Sequence, residues 1–157
     1  MTSFYEEIKE FLTIEEREFL DRVAAKHCGL PNMTQLWKLM DDAWDKYDCN
    51  PNVMDESIDK FYKHPVWLLN GIFSEKDPQS LQNREVFCEW VSNQKPTRIA
   101  DYGGGFGALA RMIGKKLQNA NVEIIDPHPH RVAMKLASQT NNVSYENGLS
   151  GEYDIII

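Results

Sequence analysis

The stretch that decides the fold is IADYGGGFG, residues 99–107. It begins as an apolar run typical of a buried strand and ends with alternating glycines, Gly103, Gly105 and Gly107. Residues 107–118 then carry apolar side chains at helical spacing, so the glycines lie where a strand turns into a helix. Because glycine has no Cβ, a ligand can approach the backbone of such a loop closely. The pattern therefore predicts a strand, a ligand-binding glycine loop and a helix.

A carboxylate ends the next predicted strand: Asp126 follows the apolar residues 122–125. The carboxyl ends of neighbouring parallel strands meet at one edge of a sheet, where α/β proteins bind their ligands. Asp126 is thus placed to accept hydrogen bonds from both hydroxyls of a ribose, and the start of helix 107–118 offers N–H groups to an anion. The alternative is structural, with Asp126 capping the loop before Pro127.

The chain divides near residue 95 into a helical part and an α/β part. Residues 1–95 contain helical patterns only, at 3–11, from Thr13 to Gly29, after Thr34, and at 54–63, 66–74 and 80–92. Residues 96–157 alternate strands and helices, at 97–102, 107–118, 122–125, 130–138, 143–145 and 153–157. The fold class is therefore α/β, with a helical N-terminal segment before an incomplete parallel sheet of about four strands flanked by helices.

Local signals mark several helix boundaries in the N-terminal part. Thr13 and Glu16 have the spacing of a capping box at the start of the second helix. Thr34 is predicted to cap the third helix, and residues 77–80 have the composition of a turn. The His64-Pro65 junction is expected to end the fourth helix, because proline disfavours helical backbone in the preceding residue.

Asp101 separates the classes of cofactor that a glycine loop can bind. It lies two residues before Gly103, near the end of an otherwise apolar strand. A carboxylate there repels the pyrophosphate of a dinucleotide but attracts a cation such as S-adenosylmethionine (SAM), which carries an ammonium and a sulfonium group. The alternative is that Asp101 only holds the glycine loop through backbone N–H groups.

The pattern Asp101-x-Gly103-x-Gly105-x-Gly107, followed by Asp126, resembles motif I and the acidic end of strand two in class I SAM-dependent methyltransferases. The resemblance covers roughly residues 85–157 and implies a Rossmann-like domain that transfers a methyl group from SAM. It also implies that the glycine loop holds the methionine portion of SAM, that Asp101 lies near its amino group and that Asp126 holds its ribose.

The end of the third strand corresponds to the position where the family contacts adenine, which here is occupied by Glu146 and Asn147. The resemblance implies the following cofactor-binding residues: Asp101, Tyr102, Gly103, Gly104, Gly105, Gly107, Asp126, Pro127, His128, Glu146 and Asn147. Asp154, at the start of the fourth strand, corresponds to a position that is more often structural than catalytic.

The family sheet has seven strands, whereas this sequence ends inside the fourth. We therefore expect a fragment of a longer protein, or a sheet that another chain completes. Residues 155–157, three isoleucines, are expected to lie at an open sheet edge that favours self-association.

The catalytic residues are not defined by the sequence. The aromatic residues Trp67, Phe73, Phe87 and Trp90 are expected to belong to a core. The alternative, which the resemblance implies, is that residues 1–95 form a lid or substrate cover with Tyr62, His64 and Trp67 lining the entrance, and His64 is then the candidate general base. Cys88 has no paired base, so it is not expected to be a nucleophile. His128 and His130 are too few to bind a metal ion, so no metal is predicted.

Two other functions remain open. Residues 103–108 also fit the G-x-G-x-x-A pattern of FAD- or NAD(P)-binding oxidoreductases, in which Asp126 would again hold a ribose. A non-catalytic SAM-binding module is the third possibility. The charge on Asp101 and the long helical segment before the first strand favour the methyltransferase.

The amino-acid composition limits the kinds of partner and the cellular compartment that we expect for this protein. There are 17 Lys and Arg against 24 Asp and Glu, a net charge of −7, which makes nucleic acid an unlikely acceptor and favours a small molecule. The longest apolar stretch, residues 66–69, is far shorter than the roughly 20 residues of a membrane helix. Three widely spaced cysteines predict reduced thiols in a cytoplasmic protein.

Overall fold

The computed structural model describes residues 3–157, so the first two residues of the predicted helical segment lie outside the description. The chain forms two compact units, the first ending at Phe73 and the second spanning Ser74–Ile157. This division falls inside the helix Val66–Lys76. The next helix, Pro78–Gln94, which directly precedes the sheet, therefore belongs to the second unit.

The first unit is helical, as the sequence predicts. Its elements are α1 (Ser3–Ile8), a 3₁₀ turn (Lys9–Phe11), α2 (Ile14–His27), α3 (Met33–Lys46), α4 (Glu56–Tyr62) and most of α5 (Val66–Lys76). Its core contains the fully buried side chains of Ile8, Leu36, Val66, Leu68, Leu69 and Ile72. Burial of such side chains stabilises each helix more than its intrinsic propensity does.

The caps of α2 and α3 show where local sequence signals succeed and fail. The predicted capping box of α2 is present, with the Thr13 N–H 2.7 Å from Glu16 Oε2 and the Glu16 N–H 3.2 Å from Thr13 Oγ1. The prediction that Thr34 caps α3 is wrong. Asn32 caps that helix in a reciprocal pair with Gln35, so the helix begins two residues earlier than expected. Asn is as good a cap as Thr, and only Asn32 has a glutamine three residues later.

The second unit contains the sheet and its flanking helices. Its elements are α6 (Pro78–Gln94), β1 (Arg98–Tyr102), α7 (Ala108–Lys116), β2 (Asn121–Ile125), α8 (Arg131–Ala137), β3 (Val143–Glu146) and β4 (Ile155–Ile156). The turn predicted at 77–80 is instead the start of α6. Asp77 caps this helix and Pro78 occupies its first position, where a missing N–H costs nothing.

The sheet has the order β3-β2-β1-β4, and its strand pairs are parallel. The predicted α/β fold with four parallel strands is therefore confirmed. Asp101 of β1 pairs in register with Ile124 of β2, which pairs with Tyr145 of β3. The register brings the carboxyl ends of these three strands to one edge. Beneath that edge lies an apolar core formed by Val91, Ile99, Ala110, Ile113, Val122, Ile124 and Val143.

A polar network holds the segment before β4 against β1 and β2. The Arg98 guanidinium donates two bonds of 3.0 Å to the buried Glu123 carboxylate, which also accepts from the Tyr153 hydroxyl at 2.5 Å. Asp154 Oδ2 accepts from the backbone N–H groups of Thr97 and Arg98 at 2.7 and 3.0 Å. These bonds lower the pKa of the Glu123 and Asp154 carboxyl groups.

Among residues 3–157, no helix combines the length and the apolar character that crossing a membrane requires.

Candidate cofactor-binding site

The glycine loop between β1 and α7 has a backbone that only glycine adopts without strain. Gly103, Gly105 and Gly107 have φ angles of 73°, 53° and 70°. The Gly103 N–H donates to Ile125 O at 2.8 Å, and the Gly107 N–H donates to Gly104 O at 2.8 Å, so the loop is tied to β2 and to itself. Gly107 also caps α7, and a Cβ there would lie 2.6 Å from Ile124 Cδ1.

Asp101 lies directly beneath this loop. Its side chain is buried, with 7% of the residue exposed, and a Cβ added to Gly104 would stand 2.6 Å from its carboxyl carbon. Burial raises the pKa of Asp101 from 3.8 to about 6, and the Ala110 N–H in the first turn of α7 partly opposes that rise. The carboxylate is thus buried against the loop at a helix N-terminus.

One oxygen of this carboxylate is not satisfied by the protein. Asp101 Oδ2 is buried and has no hydrogen-bond partner within residues 3–157. If Asp101 only held the loop through backbone N–H groups, both oxygens would be expected to accept such bonds. An unpaired buried carboxylate oxygen costs several times more than an unpaired neutral group. The arrangement therefore fits a cationic ligand bound at this loop.

Asp126 follows β2 and begins the connection to α8. Its Oδ1 accepts the His128 N–H at 2.8 Å, and its own N–H points to Glu146 O at 3.4 Å. The first bond is the loop-capping bond considered as the structural alternative, and it occupies one of the two carboxylate oxygens. The half-buried side chain lies at the same sheet edge as Asp101.

The other residues implied by the resemblance lie at the same edge. Tyr102, at the end of β1, is 64% exposed, and Pro127 is exposed beside Asp126. Glu146 ends β3 with its side chain exposed and accepting from Ser144 Oγ at 3.1 Å, and Asn147 follows it in the loop. The structure therefore gathers the ends of three strands around one edge, as expected for a nucleoside site in an α/β fold.

His64 lies in the first unit, between α4 and α5. Its Nδ1 accepts the Val66 N–H at 3.2 Å, and its ring meets Phe19 and Tyr47 edge to face. Burial, aided by the charge of Lys46, lowers its pKa, so it is neutral with its proton on Nε2. This geometry supports a role in capping α5, and the role of a general base stays a prediction.

Tyr145 is a residue that the sequence analysis missed. It lies on β3, and its hydroxyl donates to Gly105 O at 2.7 Å, across the sheet edge. Burial is the main reason that its pKa is raised, and the charge of Asp126 adds to this effect. The available signal was an aromatic residue just before the end of the strand, but no pattern within one strand specifies a contact 40 residues away.

A nearly buried ion pair was also missed. Arg111 on α7 and Glu75 on α5 pair through Nη2 and Oε1, with 11% and 15% of their side chains exposed. Arg111 Nε is buried without a partner among the described residues. Both side chains contribute to the electrostatic environment of Tyr145.

Histidines near the loop have structural contacts. His130 caps α8 by accepting the Val132 N–H on Nδ1 at 3.2 Å, and its ring lies 6.0 Å from that of Phe106. Across residues 3–157, no cluster of three or more His, Cys, Asp or Glu side chains could hold a metal ion.

Comparison with known proteins gives relatives and one structural neighbour, although no family model matches the chain. The sequence is 30% identical over 99 residues to ribosomal RNA small subunit methyltransferase C of Haemophilus influenzae strain 86-028NP, covering 59% of this chain and 28% of that protein. It is 31% identical over 87 residues to the same enzyme of strain PittGG, covering 55% and 24%. The chain thus spans about a quarter of the length of these curated relatives.

The structural neighbour is human N-acetylserotonin methyltransferase, solved in complex with SAM. It superimposes with a TM-score of 0.51 and 19% sequence identity over 77% of this chain and 38% of that one. At this identity the likeness establishes the fold alone. The Rossmann-like fold predicted from the glycine loop is therefore confirmed.

The relatives correct one expectation. The prediction that nucleic acid is an unlikely partner is wrong, because the curated relatives are ribosomal RNA methyltransferases. The net charge of −7 sums over both units and every face, so it does not describe the charge near one site. By fold and by sequence similarity together, the chain resembles class I SAM-dependent methyltransferases, as its glycine loop and Asp101 predict.

Proposed function

We propose that this chain forms the SAM-binding part of a methyltransferase. The observation that carries the proposal is the buried Asp101 carboxylate beneath Gly104, whose Oδ2 has no partner within the described residues. A cation placed over Gly104 would satisfy that oxygen and favour ionisation of the carboxyl group. The amino group of SAM has the required charge and can donate hydrogen bonds.

Asp126 is the proposed ribose ligand. Its Oδ1 is engaged by the His128 N–H, which fixes the carboxylate and leaves Oδ2 to accept from ribose hydroxyls. Glu146 and Asn147 follow the neighbouring strand and are proposed to contact adenine, with Tyr102, Pro127 and His128 at the rim. SAM would supply an already activated methyl group, so the main task of these residues is to orient it toward an acceptor.

The oxidoreductase alternative requires a diphosphate at the same loop. The helix start and the glycines suit a diphosphate as well as they suit a carboxylate. Asp101 does not suit a diphosphate, because a second anion beside its uncompensated buried carboxylate would raise the electrostatic energy of both groups. This is the reason to prefer SAM over FAD or NAD(P).

Binding distinguishes these cofactors. Isothermal titration with S-adenosylhomocysteine, SAM, NADP and FAD should show binding of the first two only. Asp126→Ala is expected to lower the affinity for S-adenosylhomocysteine at least tenfold, since a hydrogen bond to a charged acceptor is worth roughly 1.5–3 kcal/mol. Asp42→Ala on α3, which removes an exposed carboxylate, is the control and should leave the affinity unchanged. Binding of NADP or FAD in place of S-adenosylhomocysteine would reject the proposal.

The acceptor requires a separate assay. The curated relatives act, by their names, on ribosomal RNA, and a small molecule is the alternative acceptor. Transfer of label from methyl-labelled SAM should therefore be measured in parallel into small-subunit ribosomal RNA and into an extract of small metabolites. Label in one fraction identifies the acceptor class. Binding of SAM without transfer to either would fit a non-catalytic module or a fragment of a longer methyltransferase.

A further inference from the structure

We propose that Tyr145 is a positioning residue that holds the glycine loop in the form that receives the amino-acid end of SAM. This inference rests on the proposed function and extends it to a residue outside the motif. The hydroxyl of Tyr145 donates to Gly105 O at 2.7 Å, so a side chain from β3 fixes the middle of the loop between β1 and α7.

The ring of Tyr145 occupies a space that the loop leaves for it. A Cβ on Gly107 would lie 3.1 Å from the Tyr145 hydroxyl oxygen and 2.6 Å from Ile124 Cδ1. Tyr145 and Ile124 are paired in register on β3 and β2, so both contacts are set by the sheet. The absence of a side chain at Gly107 therefore allows the hydroxyl to reach the loop.

Anchoring the Gly105 carbonyl also orients the next N–H group. In a trans peptide the C=O and the following N–H point in opposite directions. With Gly105 O held toward Tyr145, the Phe106 N–H is directed away from it, and Gly105 has a φ of 53° that glycine adopts readily. Without the anchor, this peptide can rotate, and the loop would lose the donor orientation that an amino-acid carboxylate needs.

Charged groups surround the hydroxyl on several elements. Asp101 on β1, Asp126 after β2, Arg111 on α7 and Glu75 on α5 all contribute to its environment, and burial raises the Tyr145 pKa. The hydroxyl therefore stays protonated and remains a donor to Gly105 O throughout the neutral range. Its role is to hold the loop, with no proton transferred.

The test separates the two ends of the ligand. For Tyr145→Phe, we expect the affinity for S-adenosylhomocysteine to fall five- to tenfold, while that for adenosine, which lacks the amino acid, changes less than twofold. The matched control is Tyr153→Phe, which removes a half-buried hydroxyl bond to Glu123 of β2. This control should lower the melting temperature without changing either affinity. Melting temperatures of both variants report folding.

The outcomes separate failure of the inference from failure of the proposed function. If the wild-type chain binds neither ligand, the proposed function fails and the inference fails with it. If the wild-type chain binds both ligands and Tyr145→Phe keeps its affinity for S-adenosylhomocysteine, only the inference is overturned. Equal losses for S-adenosylhomocysteine and adenosine would also overturn it, because they would indicate general damage to the site.

Discussion

Replacing the Asp101 carboxylate by an amide should stabilise the protein while weakening its ligand binding. A pKa difference of one unit is worth about 1.4 kcal/mol. The rise from 3.8 to about 6 therefore means that ionised Asp101 costs the folded state about 3 kcal/mol at pH 7. In Asp101→Asn this charge is absent, but the amide is still buried, so we expect a gain of about 1–3 kcal/mol in unfolding free energy.

The raised pKa of Asp101 determines how its contribution to the unfolding free energy changes with pH. Because the folded-state pKa is raised, the favourable contribution of protonated Asp101 is fully present below about 3.8 and is lost as the pH rises through about 6. Between pH 7 and pH 5 the Asp101 contribution to the unfolding free energy of the ligand-free protein should therefore rise by about 1 kcal/mol, while the lowered pKa of His64 acts in the opposite direction in both wild type and Asp101→Asn and cancels in their difference. At lower pH, protonation of Glu123 and Asp154 acts in the opposite direction, since their folded-state pKa values are lowered.

Urea unfolding at pH 7, 6 and 5, followed by circular dichroism, measures both quantities. Asp101→Asn should exceed the wild type most at pH 7, and the difference should shrink toward pH 5. The control is Asp154→Asn, which replaces a charged acceptor of three hydrogen bonds by a neutral one and should destabilise the protein at pH 7. S-adenosylhomocysteine should bind Asp101→Asn at least tenfold more weakly. An Asp101→Asn variant that is less stable than wild type at pH 7 would refute the reasoning.

Three further predictions concern single contacts. Gly104→Ala should reduce the affinity for S-adenosylhomocysteine more than fivefold in titration calorimetry, because its Cβ would stand 2.6 Å from the Asp101 carboxyl carbon; unchanged affinity would place the ligand elsewhere. Glu123→Gln should lower the unfolding free energy by about 1–3 kcal/mol, because it weakens a buried acceptor of several hydrogen bonds. A loss of ligand affinity in a variant that still folds would contradict a purely structural role for Glu123. Asn142→Ala should lower the melting temperature without changing ligand affinity, since its amide donates to three carbonyl groups near the end of α7.

Local patterns predicted the features that depend on neighbouring residues. The capping box of α2 and the strand-glycine-helix transition at residues 103–107 each depend on residues close together in the sequence, and both are present. Errors arose where two local signals compete. Asn32 and Thr34 are both good caps, and Asp77-Pro78 suits a turn as well as a helix start.

Local sequence patterns do not predict contacts between segments that are distant in the chain. Tyr145 reaches Gly105 only because β3 lies beside β2 and the loop folds back over the sheet edge. The pairing of Arg111 with Glu75 joins α7 to α5 across 36 residues. The sequence identified Asp101 as chemically unusual, but its unpaired oxygen depends on the exact placement of Gly104 and α7.

Two buried carboxylates in this sheet show how structural and ligand-binding roles differ. Glu123 accepts from Arg98, Asn121 and Tyr153, and these partners stabilise its charge and lower its pKa. Asp101, on the adjacent strand, has one oxygen without a partner among the described residues and a raised pKa. A carboxylate whose bonds are all supplied by the protein has no capacity left for a ligand. At neutral pH the proposed cationic ligand would offset the cost of leaving Asp101 unpaired, so the same residue that weakens the ligand-free fold should strengthen the complex.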